Sequence, residues 1–153
     1  MAITLPALKR ILASIDYSPQ GDRALAWAVL HAQTFSAELI VLHVVERSVH
    51  FGTFGYSEPP GAPELGSDHA RLETHLRQQL VGSGLVVRAL VEVGDPAIKI
   101  REVARREAID LIVIATHGKS GIGDLLLSSV AEKVIHHTGC PVLAVSPPSE
   151  EQE

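Results

Sequence analysis

The chain alternates two kinds of hydrophobic pattern. Short, near-continuous apolar runs rich in branched side chains are separated by longer segments whose apolar residues recur every three to four positions. The first kind reads as strands buried on both faces, the second as amphipathic helices. Arg10 to Asp16 is the first strand and Glu38 to Val45 the second. Leu85 to Val93, Asp110 to Ala115 and Pro141 to Val145 are the third, fourth and fifth. Leu25, Ala28, Val29, Ala32 and Phe35 mark the inner face of a first helix, with Ser18 as its N-cap and Pro19 at its first position. A second helix is expected from about Asp68 to Val81, stopped by Gly82 and Gly84. Asp95 and Pro96 repeat the cap signal before a third helix, whose inward face is Ala97, Ile100, Ala104 and Ala108. A fourth begins at Ser129, since Ser129 and Glu132 have the spacing of a capping box. Val130, Val134 and Ile135 form its apolar face, His136 and His137 its last turn, and Gly139 its stop.

The order βαβαβαβαβ predicts an α/β domain: an open, doubly wound, five-stranded parallel sheet with helices on both faces, Rossmann-like. Residues 1–146 read as one domain, and 147–153 as a polar, acidic tail that frays. The segment from Arg47 to Gly66 breaks the pattern with Pro59, Pro60, Pro63 and several glycines, and intersperses Phe51, Phe54 and Tyr56. Loops this long in a compact domain are usually functional or mobile. Two readings stay open: it folds over a ligand or a partner chain, or it is a disordered excursion.

Composition narrows the function classes. At 153 residues, 46% hydrophobic and 20% charged, the chain has enough apolar material for one core. Its net charge of −5 includes three glutamates in the tail. That is the wrong sign for an indiscriminate nucleic-acid binder. No apolar run approaches the roughly 18–20 residues of a membrane span, and the N-terminus lacks a signal-peptide stretch. One cysteine, Cys140, excludes an internal disulfide and a thiolate metal cage. A cytoplasmic protein is expected.

In open doubly wound sheets, ligands bind beyond the carboxyl ends of the strands, where strand order reverses. The most informative of those ends is Thr116-His-Gly-Lys-Ser-Gly-Ile-Gly123, which leads from a buried strand toward the helix start at Ser128 and Ser129. Glycines let backbone N–H groups turn toward an anion, and a helix N-terminus adds unpaired donors. The segment reads as a phosphate cradle or, equally, as a plain glycine turn. Two stricter motifs fail. A P-loop would need glycine at Val113, and a dinucleotide fingerprint would need it at Leu126.

At this loop the sequence resembles the universal stress protein family, whose nucleotide motif is Gly, two residues, Gly, nine residues, then Gly and Ser or Thr. Here the frame is Ala115-Thr-His-Gly118, nine residues, then Ser128-Ser129. The resemblance extends to Arg10-Ile-Leu-Ala-Ser-Ile-Asp16-Tyr-Ser18, Leu42-His43-Val44, Gly94-Asp-Pro96, Ser129-Val-Ala-Glu-Lys-Val and Cys140-Pro-Val-Leu-Ala-Val145. It implies strand order 3-2-1-4-5, a homodimer through the fifth strand (Val142, Leu143, Ala144, Val145), and ATP with a divalent metal such as Mg²⁺. Carried over by position, Asp16 and Val44 contact the adenosine, with Ser14 and Ile15 beside them. Gly118 and Ser128-Ser129-Val130 hold the phosphates, within a loop that also contributes Ala115, Thr116, His117 and Gly121. Two positions depart from the motif. Ala115 and Ser128 stand where it has glycine, and the Ser128 side chain crowds the phosphate position while its N–H and hydroxyl stay available as donors. The implied function is an ATP-binding stress-response module with little or no turnover. The alternatives are a relative that binds no nucleotide and acts through protein contacts, or a slow ATPase.

The remaining candidates read as structural. Asp16 could equally form an Asx turn or cap, and His117 a solvated loop residue. His43, inside an apolar strand, reads as a hydrogen-bonded core histidine. His69 and His75 do not share a helix face and His136 and His137 diverge, so no metal site and no catalytic set is expected. Cys140 reads as inert packing.

Overall fold

The computed structural model describes residues 2–46, 51–52, 55–56, 65–117 and 127–148. The elements are β1 (Arg10–Ser14), α1 (Pro19–Phe35), β2 (Glu38–Val45), a short hairpin of β3 (Phe51–Gly52) and β4 (Gly55–Tyr56), α2 (Leu65–Gln79), β5 (Val87–Val93), α3 (Pro96–Arg106), β6 (Leu111–Ala115), α4 (Ser129–His137) and β7 (Val142–Val145). The main sheet has five parallel strands in the order β5-β2-β1-β6-β7, which is 3-2-1-4-5 when the hairpin is left uncounted.

Alternation along each strand builds two cores. Ile11, Ala13, Leu39, Val41 and Val113 point to one face and meet Ala24, Leu25, Ala28 and Ala32 of α1 and Leu72 and Leu76 of α2. Leu12, Ile40, Leu42, Ile112 and Ile114 point to the other, against Ala97, Ile100 and Val103 of α3 and Ala131 and Val134 of α4. Leu12 sits in register between Ile40 and Ile112 and is fully buried. This two-sided burial is why the strands read as unbroken apolar runs.

Several expectations shift. The first strand ends two residues early, because the backbone turns at Asp16. Asp110 leaves the fourth strand, and its carboxylate accepts the Lys9 and Arg10 backbone N–H groups at 2.8 and 2.9 Å. Phe35 and Ile135 are exposed, and Ala24 and Ala131 take the inward positions instead. Ala108 lies past the end of α3 in a left-handed turn with φ of 50°. The second helix starts earlier, at Leu65, and the third strand later, at Val87. Gly139 is not the left-handed stop; extended backbone at Thr138 ends α4.

The caps of α1 and α3 are as expected. Ser18 Oγ accepts from Gly21 N–H at 3.0 Å and Asp95 Oδ1 from Ile98 N–H at 3.0 Å, each followed by proline. The cap of α4 is Ser128, not Ser129. Its Oγ accepts from Ala131 N–H at 3.1 Å, so Glu132 is not placed to close a capping box. No helix among the described residues is long and apolar enough to cross a membrane.

Candidate functional site

Strand order reverses at β1, whose neighbours are β2 and β6. Beyond the carboxyl ends of these strands lies a cleft of about 610 Å³. Nine of the residues named from the sequence line it: Ser14, Ile15, Asp16, Val44, Ala115, His117, Ser128, Ser129 and Val130. Thr116 does not; it is buried, and its hydroxyl donates to the Val145 carbonyl at 3.4 Å. Gly118, Lys119 and Gly121 lie outside the described residues, as does most of 47–66.

Asp16 is placed by a short relay. Gly21 N–H donates to Ser18 Oγ, and the Ser18 hydroxyl and Ser18 N–H both donate to Asp16 Oδ1, the latter at 3.0 Å. The Asx turn and the position in the cleft are therefore both real. A Cβ at Gly21 would stand 2.9 Å from Asp16 Oδ1, so any other residue there displaces the Asp16 side chain. Tyr17, next in the chain, has φ of 61°, uncommon for a bulky residue and the kind of strain that gathers at functional sites. Its ring packs 4.6 Å from that of His43 and 5.1 Å from that of His75, and carries the Arg71 guanidinium 4.1 Å above its centroid. Burial raises the Tyr17 phenol above its usual range; Arg71 opposes that rise and Asp68 adds to it.

His43 is the structural histidine expected. A carbonyl oxygen only accepts, so its Nδ1 carries the proton and donates to Ile15 O at 3.0 Å. His69 likewise donates to Ala89 O, and His75 is paired with Asp22 at 2.6 Å. His117 differs from the solvated reading. It is half-buried, its Nδ1 lies 2.8 Å from Thr116 Oγ1, and its Nε2 is buried with no hydrogen-bond partner among the described residues. Asp68 Oδ2, also on a residue lining the cleft, is the second such atom.

The start of α4 forms the opposite wall. Ser129 and Val130 occupy its first two positions, whose N–H groups have no partner within a helix. Ser128 is less available than the sequence suggests, because its N–H donates to Thr116 O at 2.7 Å. Its hydroxyl accepts the cap bond and keeps its own proton to donate. Arg71 is the one lysine or arginine among the described lining residues.

Sequence reading missed Gly21, His43, Asp68 and Arg71 as cleft residues. A glycine in the first turn of a helix was a usable signal for Gly21. Asp68 and Arg71 sit on a largely polar helix and carried none.

A family model described as "Universal stress protein family" matches residues 7–146. The universal stress protein MJ0531 of Methanocaldococcus jannaschii is 33% identical over 148 residues, covering 94% of this chain and 85% of that protein. The solved structure of universal stress protein UspA from Lactobacillus plantarum superposes with a TM-score of 0.74 at 27% identity, covering 92% and 99% of the two chains. A universal stress protein solved in complex with cAMP shares the fold, with a TM-score of 0.67 at 23% identity and coverage of 92% and 98%.

Proposed function

The chain belongs to the universal stress protein family, and from that premise we propose that it is a stress-response module that binds an adenine nucleotide, ATP with Mg²⁺, with little or no turnover. The carrying observation is the cleft itself. It brings Asp16 and Val44 together with the unpaired donors at the start of α4, on opposite sides of the strand-order reversal. A helix N-terminus with free N–H groups suits phosphate, and a half-buried pocket of this size suits a nucleotide. Thr116 Oγ1 gives its proton to Val145 O, so His117 Nδ1 donates to Thr116 Oγ1, and the orphaned Nε2 pairs with a phosphate oxygen only as the second N–H of a doubly protonated ring. The relative in complex with cAMP supports the adenine part of the reading.

The metal fits as a passenger. No group of three His, Cys, Asp or Glu among the described residues could hold an ion. Mg²⁺ is commonly held by phosphates with only one or two protein carboxylates. When bound it would neutralise phosphate charge; adenosine contact at Asp16 and Val44, and phosphate contact at Ser128, Ser129, Val130 and His117, belong to the chain.

One observation favours the nucleotide-free alternative, acting through protein contacts: the Ser128 N–H that a phosphate would use is already bonded to Thr116 O. Ser129→Pro separates the readings. Proline is at home in the first helical position, and Ser128, with φ of −59° and ψ of 148°, already has the backbone that precedes a proline. The substitution removes one cradle N–H and leaves α4 intact. A backbone bond to a charged group is worth about 1.5–3 kcal/mol, so calorimetry should show ATP affinity falling roughly tenfold or more at unchanged helicity. Equal affinity in both proteins places phosphate elsewhere. No ATP binding by the unaltered protein up to millimolar supports the protein-contact reading.

A further inference from the structure

Two residues lining the cleft each carry a buried polar atom with no hydrogen-bond partner among the described residues, and they belong to opposite sides of it. His117 follows β6; Asp68 is on α2, which packs against β5, next to β2. The phosphate donors of α4 also follow β6. A nucleotide lying across β1 with its phosphates on the β6 side therefore has its nucleoside on the β2 side, beside Val44, Asp68 and Arg71.

An ionised carboxylate only accepts hydrogen bonds. Leaving one of its oxygens buried and unpaired carries the desolvation penalty of that group, and no described protein group offsets it for Asp68 Oδ2. The donors a nucleoside offers are the ribose hydroxyls and the exocyclic amine of adenine. Helix-dipole stabilisation accounts for an acidic residue in the first turn of α2. It does not account for an oxygen turned away from solvent on a residue lining the cleft. Arg71, one turn further along α2, is held over the Tyr17 ring and so limits the space at that wall.

We infer that Asp68 is a specificity determinant of the nucleotide site, accepting a hydrogen bond from a donor on the nucleoside half of the ligand. This deepens the nucleotide reading and rests on it. A site built around a buried acceptor rejects a ligand lacking the matching donor far more strongly than a merely apolar pocket does.

The test is calorimetric titration of the full chain and of Asp68→Asn with four ligands: ATP, 2′-deoxy-ATP, 3′-deoxy-ATP and inosine triphosphate. The unaltered protein should bind ATP at least tenfold more tightly than one of the three analogues, and the weak one identifies the donor as the 2′-hydroxyl, the 3′-hydroxyl or the amine. In Asp68→Asn that ratio should collapse to within about threefold, with ATP itself weakened. Asn keeps the shape of Asp, and circular dichroism with thermal melting confirms that the variant is folded. A purely structural role for Asp68 would move stability and leave the ratio alone. A preference for ATP that is unchanged in the variant, or no preference in the unaltered protein, overturns the inference while the nucleotide reading stands. Absence of any ATP binding overturns both.

Discussion

At the scale of single residues, the site depends on contacts with almost no slack. Gly21→Ala brings a methyl to 2.9 Å from Asp16 Oδ1. Alanine gains up to about 1 kcal/mol over glycine within a helix, which offsets part of the clash in stability. It cannot restore the position of Asp16. The expected outcome is ATP affinity reduced roughly tenfold with a melting temperature within a few degrees of the unaltered protein; calorimetry and a thermal melt check both. An unmoved affinity would show that Asp16 does not need its present place. Cys140 gives a second check. Burial, the largest influence, raises its thiol pKa, and Sγ donates to Ile109 O at 3.3 Å. A thiol whose pKa is raised on folding holds its proton more tightly in the native state. It supports stability below its unfolded pKa, and that support is lost as pH rises through the folded value. At pH 8 iodoacetamide should modify the native chain several-fold more slowly than the denatured chain; equal rates would contradict the burial. Asp16 was legible because it closes a strand at the ligand edge. Asp68 and Arg71 were not, because nothing local marks which face of α2 will meet a cleft formed by strands distant in sequence.

At the scale of elements, periodicity found all five strands of the main sheet and all four helices, because the three central strands are buried on both faces, the edge strands β5 and β7 are partly covered, and every helix packs one face on the sheet. Ends were less legible. Ser128 and Ser129 are adjacent and both are good caps, and the capping-box spacing favoured the second. Tertiary contact decided for the first: Ser128 N–H is held by Thr116 O, which fixes the extended backbone a cap requires. Ser128→Ala should therefore cost about 1 kcal/mol of stability, while Ser129→Ala costs only a few tenths. Denaturant melts of the two variants decide it, and the reverse ranking would contradict the assigned cap. The same comparison bears on the site, since the residue that caps α4 also stands where the family motif has glycine.

At the scale of the whole molecule, β7 is an edge of the sheet. Ile112 N–H donates to Pro141 O and Thr116 N–H to Val145 O. In a parallel ladder this leaves the backbone groups of Val142 and Ala144 facing away from β6. Leu143 and Val145 pack with the α1 core and Val142 with the α3–α4 core, so lysine at Val142 or Leu143 would strain the fold as well as an interface. Ala144→Pro is the cleaner probe of the homodimer proposed through this strand. It removes an outward N–H and is tolerated on an edge. Sedimentation at tens of micromolar should show a dimer that becomes a monomer in the variant; a dimer indifferent to it would place the interface elsewhere. The central claim, an adenine nucleotide across the carboxyl ends of β1 and β6, is met most directly by titrating isotope-labelled protein with MgATP and following backbone amide resonances. Saturable shifts should concentrate at Ile15, Asp16, Val44, Asp68, His117, Ser129 and Val130, and leave Leu8, Leu111 and Cys140, at the amino end of the sheet, unmoved. Shifts confined to the amino end, or none at millimolar nucleotide, would contradict it.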